Sequence, residues 1–275
     1  KRVPEILQEY ACKKVLIVTD EDLKKLGFVN KLAKFLKDSK IEYKVFSNVQ
    51  PNPTIENVNE GFGIYKTFMP EAIIGLGGGS PMDVAKAIGV LAKFGGEITD
   101  YIGTGLVPEA IDLLIAIPTT AGTGSESTPS SVITDSNTHY KFSVFSQTII
   151  PHFALLDPEL ITTIPAKTAA SCGVDALIHA IESYVSINAN PYTEAMALKA
   201  MELIGKNIKK YVANREDIEA ASNMLVGSNF AGLAFSYSRL GNVHAMSHPV
   251  SGYYGVAHGV ANAILITMVM EYNAT

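Results

Sequence analysis

Asp175 and His179 stand four residues apart in the run Gly173-Val174-Asp175-Ala176-Leu177-Ile178-His179. Apolar residues recur around them at helical spacing (Val174, Leu177, Ile178, Ile181, Val185), so the carboxylate and the imidazole project from one helix face, one turn apart. That is half of a site for a divalent cation. His244, His248 and His258 form a second cluster, so four of the six histidines belong to one group or the other. An Asp/His pair at this spacing also reads as a helix-surface hydrogen bond; the second cluster is what turns the pattern toward metal ligation.

Two glycine-rich loops offer a different chemistry. Gly77-Gly78-Gly79-Ser80-Pro81-Met82-Asp83 follows the apolar run Ala72–Leu76, with Pro81 placed where a first helical turn accepts its fixed φ. Glycines there let backbone N–H groups approach a diphosphate, and a helix N-terminus adds its positive dipole. Thr119-Thr120-Ala121-Gly122-Thr123-Gly124-Ser125-Glu126 follows the run Leu113–Ile117 and adds three threonine hydroxyls. One such loop is ordinarily a tight turn; two after neighbouring strands, at one sheet edge, point to a dinucleotide, although the spacing is not the G-x-G-x-x-G fingerprint. Asp20, at the tip of the first strand, could accept hydrogen bonds from ribose hydroxyls and would repel a 2′-phosphate, favouring NAD over NADP; it reads also as a helix N-cap.

The elements that must carry these residues change character along the chain. Lys14–Thr19, Tyr43–Phe46, Ala72–Leu76 and Leu113–Ile117 are short β-rich runs separated by helical patterns, and two further β-like runs lie between about residues 140 and 156. This alternation predicts a mostly parallel sheet covered by helices, with ligands outside the carboxyl ends of its strands. Beyond Pro165 the pattern is helical, over 166–186, 192–212, 216–235 and 258–272. The fold class expected is therefore α/β plus all-α. A Rossmann-like dinucleotide-binding domain would occupy residues 1–161, and a helical metal-binding domain 162–275.

Composition narrows the partners. The chain has 275 residues, 47% hydrophobic and 18% charged, enough to bury a large core. A net charge of -5, with no basic run longer than a pair, disfavours nucleic acid or an anionic membrane surface as main partner and leaves small molecules. Cys12 and Cys172 are too few for a disulfide framework and read as reduced thiols of a cytoplasmic protein. No apolar run approaches the roughly 20 residues that span a bilayer.

Ordered motifs along the whole chain resemble the iron-containing (group III) alcohol dehydrogenases. They are Val18-Thr19-Asp20, Pro51-Asn52-Pro53-Thr54, the two glycine-rich loops, Gly173–Leu177 with His179, His244-Ala245-Met246-Ser247-His248-Pro249 and His258-Gly259-Val260-Ala261-Asn262-Ala263. The resemblance implies a dehydroquinate synthase-like fold with its active site between the domains, and metal ligands Asp175, His179, His244 and His258. It implies cofactor contacts at Asp20, Asn52, Gly78, Gly79, Ser80, Thr119, Thr120, Thr123, Thr128 and Lys141, the last at the nicotinamide-side ribose. His248 matches a histidine near nicotinamide and substrate, outside the ligand set, and is the candidate for carrying the released proton. Ala257 and Thr267-Met268 depart from the common family pattern without touching a ligand. Family chains begin with an extra strand and continue with more helices after Asn273, so the resemblance implies a longer parent chain.

The implied activity is hydride transfer between NAD(H) and a short-chain primary alcohol or diol and its aldehyde, assisted by a cation acting as Lewis acid. Iron rests on the resemblance, since three imidazoles and a carboxylate suit Fe(II) or Zn(II). A homodimer or larger homo-oligomer is expected. Two other readings share the loops or the metal: a lyase of the dehydroquinate synthase type, which needs a basic phosphate pocket not found in the sequence, and a non-catalytic metal- and nucleotide-binding module. His139 and His152 lie outside the motifs and read as ordinary surface or interdomain residues.

Overall fold

The computed structural model describes residues 2–138 and 140–274; the surface reading of His139 falls outside them. The chain forms two compact units, Lys1–Pro118 with Pro129–Leu155, and Thr119–Thr128 with Leu156–Thr275.

The first unit is α/β. Its elements run α1 (Arg2–Glu9), β1 (Lys14–Val18), α2 (Glu21–Lys25), α3 (Phe28–Asp38), β2 (Glu42–Phe46), α4 (Ile55–Phe68), β3 (Ala72–Gly77), α5 (Gly79–Phe94), β4 (Gly103–Thr104), β5 (Leu114–Pro118), β6 (Ser130–Asp135), β7 (Tyr140–Phe145) and β8 (Phe153–Ala154). β2, β1, β3, β5 and β8 make one sheet in that order, every pairing parallel. Every residue of β3 and β5 is buried, which is why these strands are continuous apolar runs rather than alternating ones. Gly77 stands level with Pro118, so β3 and β5 both leave the sheet at the same edge as the Asp20 end of β1.

Helix α5 dominates the core of this unit. Val84, Ala85, Ala87, Ile88, Val90 and Leu91 are buried in one cluster with Leu16, Val18, Ile73 and Leu114. Amid them Lys86 is fully buried, and its ammonium donates to the Ser130 carbonyl at 2.8 Å, while Ser131 Oγ donates to the Asp83 carbonyl at 2.8 Å. These bonds tie α5 to β6, a strand that the sequence pattern did not predict. Ser-Ser-Val-Ile-Thr-Asp is too polar to announce itself, and its extended state comes from antiparallel pairing with β7, Ser130 opposite Phe145 through Asp135 opposite Tyr140. β4, β6 and β7 form a separate three-stranded sheet. His152 is exposed, and its Nδ1 accepts from the Leu114 amide at 3.2 Å.

The second unit is helical: α6 (Ala166–Tyr184), α7 (Pro191–Ala213), α8 (Ile218–Ser238), α9 (Asn242–Tyr254) and α10 (His258–Asn273). Local chemistry explains several boundaries. Asn190 Oδ1 accepts from the amides of Tyr192 and Thr193, with Pro191 in the first turn, and Asp217 caps α8 through the Ala220 amide. Alanines at 169, 176, 180, 200, 220, 221 and 231 line the buried faces, so helix backbones approach closely around Ile204, Met224 and Leu225. Tyr211 is fully buried there, and its hydroxyl donates to the Ile161 carbonyl at 2.7 Å.

Four of the helices match the periodicity read from the sequence, and α9 does not. Its buried residues are Val243, His244, Ser247 and Ser251, and Pro249 lies inside it, so no apolar stripe marks it. The two architectures, a parallel α/β unit and an all-helical one, are those expected from the sequence. No helix among the described residues is long and apolar enough to cross a membrane.

Tyr211→Phe should lower stability by about 1–2 kcal/mol, since it removes one buried hydrogen bond and little volume. Urea unfolding with an unchanged midpoint would show that the phenol contributes nothing there.

Candidate metal centre

Three helices of the second unit bring the chemistry-bearing residues together. α6 carries Asp175, His179 and Glu182 on successive turns of one face, α9 carries His244 and His248, and α10 begins at His258 with Asn262 one turn on. One ligand atom each from Asp175, His244 and His258 lies within 4.8 Å of the others. His179 stands beside this group: its ring is buried, stacks on His244 at 4.5 Å between centroids and packs on Phe235 at 4.6 Å. The ring of His248 lies 5.0 Å from that of His258 and 5.9 Å from that of His244, and the residue is exposed.

The approach of α10 to α6 depends on Gly259. A Cβ at this position would stand 1.9 Å from the Ser171 carbonyl oxygen, so any side chain would drive apart the two helices that bear His258 and Asp175. Polar neighbours then orient these candidate ligands. Asn262 Nδ2 donates to Asp175 Oδ1 at 2.6 Å and lies 3.2 Å from His244 Nε2, which is itself 3.6 Å from Asp175 Oδ1. His244 Nδ1 lies 2.5 Å from Glu182 Oε2, and His258 Nδ1 lies 3.2 Å from Ser251 Oγ. The sequence reading did not single out Glu182, Asn262 or Ser251. Two of them carried a signal: Glu182 is three residues after His179 and seven after Asp175, and Asn262 is four after His258.

Burial and charge shape the titration of this cluster. Burial opposes ionisation of Asp175, but the surrounding imidazoles of His179, His244 and His258 outweigh it and hold the carboxyl well below the usual range. Burial pushes His179 down to about 3. It also opposes protonation of His244, where the neighbouring carboxylates Asp175 and Glu182 prevail and raise the ring to about 8. The residues fit a divalent cation on two grounds. A buried carboxylate among imidazoles is the nitrogen and oxygen donor set of Fe(II) and Zn(II) sites, and Oδ1 of Asn262, whose Nδ2 contacts Asp175 and His244, is a buried acceptor with no protein partner.

The first unit gathers several of the residues expected to meet a dinucleotide. Gly78 is the N-cap of α5 with Gly79 and Ser80 in its first turn, at the carboxyl edge of the sheet. Asp20 caps α2, its Oδ1 accepting from the Leu23 amide at 2.8 Å, and burial raises its carboxyl pKa. The capping role and a ribose-facing role use the same side chain. Asn52 has a left-handed backbone, φ 57°, and its Oδ1 accepts from Lys141 Nζ at 2.7 Å, a pairing across a long sequence separation. Burial lowers the pKa of Lys141. Thr119, Thr120, Thr123 and Thr128 belong to the second unit, in the segment Thr119–Thr128. That segment is anchored on α8: Asn229 Nδ2 donates to Glu126 Oε1 at 3.2 Å, and Ser127 Oγ lies 3.2 Å from the Asn229 carbonyl.

Two outcomes follow for the metal-free chain. Gly259→Ala should cost at least about 1–3 kcal/mol, because a backbone carbonyl cannot give way; a melting temperature within error of the parent would sink that account. The two histidines should act on stability in opposite pH ranges. His179 titrates lower folded than unfolded, so its contribution is complete above about pH 6.5 and is lost as pH falls toward 3. His244 titrates higher folded, so its contribution is complete below about pH 6.5 and is lost as pH rises through 8. Melting curves of His244→Gln should lack the alkaline decline of the parent between those values; an undiminished decline would count against the carboxylate pairing of His244.

Both parts of the chain match known proteins. Residues 1–158 match the family model described as iron-containing alcohol dehydrogenase, and residues 169–275 match the model of the C-terminal region of the Fe-containing alcohol dehydrogenase family. Alcohol dehydrogenase 4 of Schizosaccharomyces pombe is 42% identical over 262 residues, covering 95% of this chain and 62% of that protein. The NAD-dependent methanol dehydrogenase of Bacillus methanolicus is 42% identical over 273 residues, covering 99% of this chain and 72% of that protein. A solved structure of 1,3-propanediol oxidoreductase superposes with a TM-score of 0.96 at 39% identity, covering 98% of this chain and 71% of the other. This chain spans between 62% and 72% of the length of these three. With both of its units matched in this way, the chain belongs to the iron-containing alcohol dehydrogenase family.

Proposed function

We propose that this protein is a metal-dependent oxidoreductase that moves a hydride between NAD(H) and a short-chain primary alcohol or diol and its aldehyde. The observation that carries the reading is the convergence of buried Asp175 and His244 with half-buried His258 in one site of the helical unit. Family membership and the parallel sheet with a glycine loop at its carboxyl edge support it. Asp175, His179, His244 and His258 would hold the cation, with Fe(II) favoured by the family and Zn(II) by affinity order. When bound, the cation supplies Lewis acidity that lowers the pKa of an alcohol oxygen or polarises an aldehyde carbonyl.

The remaining steps belong to the chain's own residues. The backbone amides of Gly78, Gly79 and Ser80, at the start of α5, would cradle the cofactor diphosphate with the helix dipole behind them. Asp20 would accept from the adenosine ribose and disfavour a 2′-phosphate. Asn52, Thr119, Thr120, Thr123 and Thr128 would add cofactor contacts, and Lys141, held by Asn52, would serve the nicotinamide-side ribose. His248, exposed beside His258, would carry the proton between substrate oxygen and solvent. Relatives named as methanol dehydrogenase and 1,3-propanediol dehydrogenase support a small alcohol or diol as substrate. A cytoplasmic homo-oligomer completes the proposal.

The test is NADH oxidation with a panel of short aldehydes, on protein stripped of metal and reconstituted without oxygen with Fe(II) or Zn(II). Activity should return with metal, and His258→Ala should lower it at least about a hundredfold, since the Lewis acid contributes several kcal/mol. Metal and NADH bound in stoichiometric amount with no turnover on any aldehyde would defeat the oxidoreductase reading and favour a binding module.

A further inference from the structure

The N-cap of helix α9 is Gly241, which has no side chain with which to cap it, so the first amides of the helix need an acceptor from elsewhere. Glu182 of α6 supplies it: Oε1 accepts from the Val243 amide at 2.7 Å and Oε2 from the His244 amide at 3.4 Å. The same Oε2 lies 2.5 Å from His244 Nδ1, and the side chain is almost wholly buried. A Cβ at residue 241 would stand 2.9 Å from Glu182 Oε1, so a glycine there is what lets the carboxylate reach the helix start.

We propose that Glu182 is a positioning residue for the metal centre: by accepting the Nδ1 proton of His244 it fixes the tautomer whose Nε2 lone pair faces the ligand group. The proposal rests on the metal reading above and names what makes His244 a competent ligand. A neutral imidazole has one N–H and one lone pair, and a carboxylate can only accept, so Nδ1 must donate and Nε2 must be bare. A second contact gives the same answer from the other side of the ring. Asn262 Nδ2 is 2.6 Å from Asp175 Oδ1, and because that carboxylate cannot donate, the amide must present its NH2 there. The same NH2 lies 3.2 Å from His244 Nε2, where a donor requires a lone pair. Asp175 Oδ1 lies farther from Nε2, at 3.6 Å, so the neutral ring of His244 has its near acceptor at Nδ1 and its near donor at Nε2.

Glu182→Gln separates this role from simple packing. Three donors, the Val243 amide, the more distant His244 amide and His244 Nδ1, converge on two carboxylate oxygens, and glutamine keeps only one acceptor. A backbone amide cannot become an acceptor, whereas imidazole can exchange tautomers. The glutamine carbonyl therefore stays on Val243, its NH2 turns to Nδ1, and the proton of His244 moves to Nε2.

The measurements are the ¹⁵N tautomer pattern of His244 in metal-free protein in alkaline buffer, where the ring is neutral, and the Zn(II) affinity by competition with a chromophoric chelator. The His244 signal is identified by its loss in His244→Gln. The parent should carry its proton on Nδ1. Glu182→Gln should carry it on Nε2 and bind Zn(II) about 10- to 100-fold more weakly, while Glu182→Asp should recover part of the affinity. A proton on Nε2 in the parent, or Zn(II) affinity in Glu182→Gln within twofold of the parent, overturns the proposal. The parent tautomer needs no variant to fold. A parent that takes up no Zn(II) defeats the metal reading alone, and the tautomer then decides the role of Glu182 by itself.

Discussion

A carboxylate inside a helical bundle sets the conditions that the rest of the second unit meets. Asp175 is buried on α6, where an isolated charge would be lost to protonation or would unfold the region. What keeps it ionised is a shell drawn from its own helix and two others: His179 stands one turn on, Asn262 donates to it from α10, and the imidazoles of His244 and His258 stand within reach. A divalent cation at this place would replace weak compensation with strong. Oδ1 of Asn262 is a buried polar atom with unmet demand in the same cluster.

That requirement explains features which would otherwise look like poor helix design. α9 contains Pro249, begins on a bare glycine and buries His244, Ser247 and Ser251 where a structural helix would bury leucines. Its start is stabilised by Glu182 from α6, and its polar face is spent on the site. α10 approaches α6 so closely that only glycine fits at 259. Alanine-rich packing of α6, α7 and α8 supplies the rigid frame on which these less regular helices rest.

The first unit solves a different problem by backbone geometry. Parallel strands buried on both faces need apolar runs, and their ends need turns that reverse direction within a few residues. The glycines after β3 meet that need and leave the amides at the start of α5 facing outward from the carboxyl edge. α5 is fastened from behind by Lys86 and by the Ser131 bond to Asp83, both reaching β6. Lys141 and Asn52 meet on the same unit although neither local sequence suggests it.

What the sequence alone determined is whatever depends on local geometry. The one-turn spacing of Asp175 and His179, the apolar strands β1, β3 and β5, the helices α6, α7, α8 and α10 and the family motifs were all legible, because helix and strand periods are properties of neighbouring residues. The α/β and all-helical architectures followed from them. β6 and α9 were not legible, since one owes its shape to its partner strand and the other hides its amphipathicity behind polar residues. Glu182 and Asn262 stood at readable helical spacings, yet nothing local says that a glutamate is aimed at a histidine 62 residues away. Only the packing of α6, α9 and α10 decided that, because which helices touch, and which ring nitrogen then keeps its lone pair, is set by distances that no period along the chain encodes.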